Sequence, residues 1–333
     1  MSRYLVHITP ALATHNKELS TNFGDSIIHF YISAILTEVF PFHEIIEIAS
    51  HDYLSHKEIA LIKNADYTII GGSNLLSSDI RHYNQWKTYY KTINFLFPSI
   101  NNILLLGVGW WQYQGTPTWF TQHFYKKVFS KKMLHSVRDN YTQSILNSIK
   151  IKNVLNTSCP TTWSLDGVRL YDKCGQQTKC LFALTDYNKN EDYDNQLIEI
   201  LLKLYDRLFF FPQGLKDQEY LNSLKEYRNN KDKITVLIRT YESINLTIVN
   251  KDVDYVGTRL HLGIYCLNHG INSLIINIDN RAKEIQKDIN LPCIDRNRQN
   301  LIYDWFNKKL ILEPISLPTE SILKWKSQFC VGS

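Results

Sequence analysis

Apolar positions recur along the chain in two rhythms that alternate from end to end. Short runs rich in β-branched and aromatic residues occur at 4–8, 44–49, 67–70, 103–107, 134–137 and 154–157. They resume at 180–184, 208–211, 234–238, 255–257 and 274–278. Between them, at 26–40, 141–148, 195–205, 220–227 and 260–267, apolar residues take helical spacing. Strands separated by helices of about 10–15 residues predict parallel sheets with helices on both faces. The rhythm breaks at 166–179, a polar stretch containing Gly167, Gly175 and two glutamines. That break predicts two domains, 1–165 and 166–333. A last apolar pattern at 322–329, after Pro314 and Pro318, predicts a helix that packs back across the domains. The expected fold is α/β, two Rossmann-like domains facing across a cleft. In such sheets ligands sit beyond the carboxyl ends of the strands.

Composition agrees and narrows the partners. With 333 residues, 44% hydrophobic and 21% charged, there is ample apolar material for two cores and none of the signature of disorder. The net charge of +5 is spread along the chain, without the concentrated basic stripe of a nucleic-acid binder. A diffuse excess suits an anionic small molecule or an anionic membrane surface. The six cysteines, at 159, 174, 180, 266, 293 and 330, show no C-x-x-C spacing and read as buried thiols. No signal-peptide core precedes the first strand, and no apolar run approaches the roughly 18 residues of a membrane span. A cytoplasmic enzyme, peripheral to the membrane at most, is the expectation.

Four strand-to-helix junctions carry the candidate chemistry. Asn22-Phe23-Gly24-Asp25 opens the first long helix, with glycine for close approach and Asp25 as a cap. Gly71-Gly72-Ser73-Asn74 ends a strand and presents backbone N–H groups. Ser136-Val137-Arg138-Asp139 delivers an arginine, whose donor fork matches carboxylate or phosphate, as a helix begins. Gly257-Thr258-Arg259-Leu260-His261 places two basic residues in a first helical turn. A cation there opposes the helix dipole, so the pair points to a bound anion.

In this order, the four motifs and the strand at 274–278 with its following Asp279 and Lys283 resemble the polysaccharide pyruvyl transferase family. The resemblance spans residues 22 to 283, and R-L-H after an apolar strand is its most specific part. It implies a GT-B-like pair of Rossmann-like domains. It also implies transfer of the enolpyruvyl carbons of phosphoenolpyruvate to two hydroxyls of a sugar, giving a pyruvate ketal and phosphate. The acceptor is a polysaccharide sugar or its lipid-linked precursor, at family level a galactose with free 4- and 6-hydroxyls. Residue by residue, Arg259, Leu260 and His261 match the phosphoenolpyruvate-contacting triplet, and Arg138 matches a second anion-binding arginine. Asn22, Gly24, Gly71, Gly72 and Ser73 join the substrate-binding set, and His261 and Asp25 are the acid–base candidates. Lys283 stands further from Asp279 than the pattern asks. Phosphoenolpyruvate is a co-substrate, and the scheme requires neither cofactor nor metal.

Two other readings compete. A nucleotide-sugar glycosyltransferase would use the same framework. Against it stand the missing glycine-rich fingerprint and the poor D-x-D element Asp192-Tyr193-Asp194. A sugar-binding module of periplasmic type would need an export signal. Trp110, Trp111, Tyr113 and Trp119 fall in one loop-like region as candidates for stacking on a pyranose.

Overall fold

A computed structural model describes residues 3–83, 85–87, 99–168 and 177–330. The chain divides into two compact units. The first comprises Met1–Ser20, Asp25–Trp163 and Leu317–Ser333, and the second Thr21–Gly24 and Ser164–Ser316. Both are Rossmann-like.

The first unit contains β1 (Tyr4–Thr9), α1 (Phe23–Val39), β2 (Glu44–Ala49), α2 (His56–Asn64), β3 (Tyr67–Gly71) and β4 (Ile103–Leu106). After these come α3 (Trp119–Val128), β5 (His135–Val137), α4 (Asn140–Ser148) and β6 (Val154–Asn156). Four strands pair in parallel in the order β2-β1-β3-β4. A parallel bridge between Val108 and Val137 carries the array on to the β5-β6 pair. Leu5, Ile69, Leu104 and Leu106 pack under α1 residues Ile28, Ile32 and Leu36. Val6, Ile8, Ile70 and Leu105 fill the opposite face. Both faces are buried, which is why these strands read as near-continuous apolar runs.

The second unit runs β7 (Lys179–Ala183), α5 (Glu191–Leu204), β8 (Arg207–Phe210), α6 (Asp217–Ser223), α7 (Lys225–Asn229), β9 (Ile234–Val236) and α8 (Tyr241–Ile248). It continues through β10 (Val253–Gly257), α9 (Leu260–Asn268), β11 (Ser273–Asn277), α10 (Asn280–Ile289), β12 (Cys293–Asp295) and α11 (Leu301–Phe306). Its six strands lie in the order β12-β11-β10-β7-β8-β9. Counted from β7, that is the Rossmann order 3-2-1-4-5-6, whose direction of winding reverses between β7 and β10. A ligand site is expected beyond the carboxyl ends of those two strands.

Two features depart from a simple split of the sequence. The predicted final helix is α12 (Thr319–Ser327), and Trp325, fully buried, joins the first unit's core beside Leu5, Phe40 and Ile69. Thr21–Gly24 belongs instead with the second unit, where Asn22 bridges Gly214 and the Phe23 N–H donates to the Gln213 carbonyl at 2.9 Å. Of the polar stretch at 166–179, residues 169–176 lie outside the described residues, Cys174 and Gly175 among them. Cys159, Cys180, Cys266 and Cys293 are buried as expected, whereas Cys330 is exposed. No helix among the described residues is long and apolar enough to cross a membrane.

Candidate functional site

The strongest candidate site lies at the switch point of the second sheet. β10 ends at Gly257, and the Thr258 N–H donates to the Ala183 carbonyl at the end of β7, 2.9 Å away. The Thr258 and Thr185 hydroxyls meet at 2.8 Å, tying the two strand ends together. α9 then starts with Arg259 at its cap position, and no side chain caps this start. The starts of α6, α7, α11 and α12 likewise lack a side-chain cap, whereas Asp139, Asn190, Thr240 and Asp279 cap their helices by side chain. An uncapped helix start beyond a switch point is a ready anion site. Leu260 and His261 fill the first turn and are both buried.

Arg259 is 3% exposed and firmly held. Its Nε donates to Asp217 Oδ2 at 3.0 Å and to the Leu184 carbonyl at 3.1 Å. Its Nη2 pairs with Asp217 Oδ1, and with Asp186 Oδ1 at 3.0 Å. Nη1 has no hydrogen-bond partner among the described residues, leaving one edge of the guanidinium for a ligand. Asp217 is fully buried and also accepts from the Gly214 and Asp186 N–H groups at 2.7 and 3.0 Å. Burial pushes its carboxyl up from the ordinary value, and the Arg259 charge and these donors oppose that rise. Arg259 is therefore a positioned cation, with its charge largely balanced by two carboxylates.

Gly214 is the close-approach position of this site. A Cβ there would stand 2.5 Å from Arg259 Nη2. Through Gly214 the sequence-predicted Asn22 and Gly24 reach the same neighbourhood. Asn22 Oδ1 accepts from Gln213 Nε2 and from the Gly24 N–H, both at 3.1 Å. A cavity of about 410 Å³ lies alongside, lined by Pro212, Gly214, Leu215, Gln218, Leu237 and Arg239 among others.

Lys283, by contrast, is exposed and forms no hydrogen bond or ion pair among the described residues. The basic residue of this segment that joins the site is Arg281. It pairs with Asp279 and with the Tyr187 hydroxyl, and Arg259 and Arg281 lie 5.1 and 5.5 Å from the Tyr187 ring centroid. The D-x-D element serves structure: Asp194 is buried and accepts from the Tyr220 hydroxyl and Arg296, each at 2.6 Å.

The first unit assembles its own group. Arg138, at the end of β5, is 1% exposed. Its Nε donates to Asp139 Oδ2 at 3.1 Å and Nη1 to Asn74 Oδ1 at 2.7 Å. Nη2 is buried without a partner among the described residues. Asp139 also caps α4 through the Thr142 N–H, so the carboxylate that orients Arg138 is itself anchored. A Cβ on Gly109 would stand 2.3 Å from Arg138 Nη2, which makes Gly109 to Arg138 what Gly214 is to Arg259. Ser73 follows the Gly71-Gly72 turn and lies 3.5 Å from Asp25 Oδ1, and Asp25 Oδ2 accepts from the Ser20 hydroxyl at 2.8 Å. Gly71 and Gly72 pack against Ile32 and Ile28 of α1, a steric role for the pair.

Sequence reasoning missed Asn74's bond to Arg138, along with Gly109, Asp186, Tyr187, Gly214 and Asp217. The visible signal was the segment after β8, Pro212-Gln213-Gly214, followed by Asp217 in a first helical turn. It repeats the glycine-before-helix pattern seen at Gly257 and at Gly24. The aromatic cluster divides. Trp110 is core, with no exposure, and Trp111 stacks on Tyr83 at 3.6 Å. Tyr113 and Trp119 are exposed, and Trp119 starts a helix rather than lying in a loop.

Comparison with known proteins supports the same fold and names a family. The chain resembles the UDP-GlcNAc 2-epimerase of Methanocaldococcus jannaschii, solved with UDP-GlcNAc and UDP. The TM-score is 0.58 at 10% identity, and the match covers 100% of both chains. It resembles S. aureus MnaA, solved with UDP, with a TM-score of 0.54 at 12% identity, covering 97% of this chain and 90% of that one. A glycosyltransferase from Rickettsia africae gives 0.50 at 14% identity, covering 99% and 93%. At these identities the likeness speaks for the GT-B-like α/β fold alone. No curated protein sequence matches the chain. The family model for polysaccharide pyruvyl transferases matches residues 22–280, a span that contains Arg138, the Arg259-Leu260-His261 triplet and the carboxylates that hold it, and the chain belongs to that family.

Proposed function

We propose that the chain moves the pyruvyl group of phosphoenolpyruvate onto two hydroxyls of a sugar in a polysaccharide or its lipid-linked precursor, closing a pyruvate ketal and releasing phosphate. The carrying observation is the uncapped start of α9, where Arg259 and His261 flank backbone N–H groups at the switch point. Phosphoenolpyruvate brings a carboxylate and a phosphate; the Arg259 edge without a protein partner suits such a group, and Arg138 offers the same chemistry within the first unit. Locking each guanidinium against a carboxylate fixes its direction, which serves a positioned reaction better than a mobile surface cation.

In this scheme His261 protonates C3 of the enol, and a sugar hydroxyl adds to C2. That hydroxyl loses its proton to the same imidazole or to a carboxylate such as Asp25. The second hydroxyl then displaces phosphate from C2, and the products are the ketal and inorganic phosphate. The scheme uses phosphoenolpyruvate as co-substrate and routes no step through a cofactor. Peripheral contact with an anionic membrane surface would bring a lipid-linked acceptor within reach.

A second reading, nucleotide-sugar chemistry, is favoured by the fold likeness to enzymes solved with UDP and UDP-GlcNAc. Ligand-dependent melting separates the two. Phosphoenolpyruvate at about 100 times its dissociation constant should stabilise the folded chain by about 2.7 kcal/mol, with UDP-sugars giving no shift. A shift with UDP-sugars and none with phosphoenolpyruvate would favour the second reading.

A further inference from the structure

We propose that His7, His29 and Glu47 form a binding site for a divalent transition metal of the zinc class in the first unit, with His7 Nε2 lying against Gly71, where a Cβ would stand 2.4 Å away. The three come from three elements: His7 from β1, His29 from α1 and Glu47 from β2. The β1–β2 register sets His7 directly beside Glu47, and α1 brings His29 over the same face of the sheet. One ligand atom from each lies within 4.8 Å of the others.

The spacing matches coordination. Donors on one tetrahedral zinc ion, each about 2.0–2.2 Å from the metal, stand roughly 3.3 Å apart. His29 Nε2 and Glu47 Oε1 are already 3.2 Å apart. The His7 and His29 ring centroids lie 5.5 Å apart. The Thr9 hydroxyl holds His29 Nδ1 at 3.1 Å, the outer contact that orients a ligating imidazole, and Nε2 faces Glu47 with the Ser33 hydroxyl 3.3 Å away.

The second observation concerns His7. It is completely buried, and neither ring nitrogen has a hydrogen-bond partner among the described residues. A buried imidazole with two unpaired nitrogens costs free energy that the fold has no apolar reason to bear. Two histidines and a glutamate make a three-ligand donor set of the kind that leaves a fourth position for water. The His29 and Glu47 side chains, 26% and 33% exposed, open that position to solvent.

The competing account is an ordinary His29–Glu47 ion pair with His7 as a strained core residue. The test uses the full chain, freed of any affinity tag and stripped with chelator, titrated with Zn²⁺ by calorimetry and with Co²⁺ by visible absorption. The expected result is one Zn²⁺ per chain and the intense visible bands of low-coordinate Co²⁺. His29→Ala and Glu47→Gln should each weaken binding at least about 100-fold, while the exposed-surface control His82→Ala leaves it unchanged. Both ligand variants replace partly exposed side chains, and circular dichroism confirms their folding. A wild-type chain that takes up no Zn²⁺, or ligand variants that retain wild-type affinity, would overturn the assignment; the latter would mean an adventitious ion only.

Discussion

Replacing Arg259 with alanine is expected to cost about 3–5 kcal/mol of folding stability, because it strands a buried carboxylate. Asp217 is fully buried, and Arg259 supplies two of its donors and its counter-charge. Without the guanidinium, Asp217 and Asp186 face each other uncompensated. A urea-denaturation midpoint measured near neutral pH should fall accordingly. The double change Arg259→Ala with Asp217→Asn should recover part of the loss, since the asparagine oxygen still accepts from the Gly214 and Asp186 N–H groups. An unchanged midpoint in the single variant would mean that the pair is not buried as described. Weaker phosphoenolpyruvate binding by this variant is therefore interpretable only at temperatures where it is shown to be folded.

His261→Gln should lower turnover by about 10²–10⁴-fold, the usual contribution of a positioned general acid. Glutamine retains hydrogen-bonding capacity at a site that is 5% exposed, so the near-ultraviolet circular dichroism should match the wild type. The fall should appear in kcat, with phosphoenolpyruvate affinity changed much less, because the role assigned to the imidazole is in the transition state. Near-normal turnover would remove His261 from the acid role.

The alternation of strands and helices was legible because most central strands are apolar on both faces and most helices carry one apolar stripe. Thus 44–49 and 67–70 agree with β2 and β3 to within a residue. The helix expected at 220–227 is instead two, α6 and α7, split where Leu224 adopts an extended conformation. Local spacing gives no sign of that turn. The helix α2 did have a readable signature, the Ser55 and Glu58 capping box. The arginines and the uncapped R-L-H start were legible because strand ends followed by helices are local patterns. Their partners were not. Asp217 and Asp186 lie 42 and 73 residues from Arg259, and only the order of strands in the sheet brings them together. The same holds for Asn22 beside Gln213, 191 residues apart. Trp110 and Trp119 show the limit of composition, since one is sealed in the core and the other projects to solvent.

The central claim is the chemistry itself, and the most direct measurement follows phosphate liberated from phosphoenolpyruvate against a panel of glycosides, with each product weighed by mass spectrometry. The account predicts phosphate release that depends on the acceptor, matched mole for mole by a glycoside carrying one added pyruvate ketal. Phosphate release without an acceptor product, or modification of the same glycosides only when nucleotide sugars replace phosphoenolpyruvate, would contradict it.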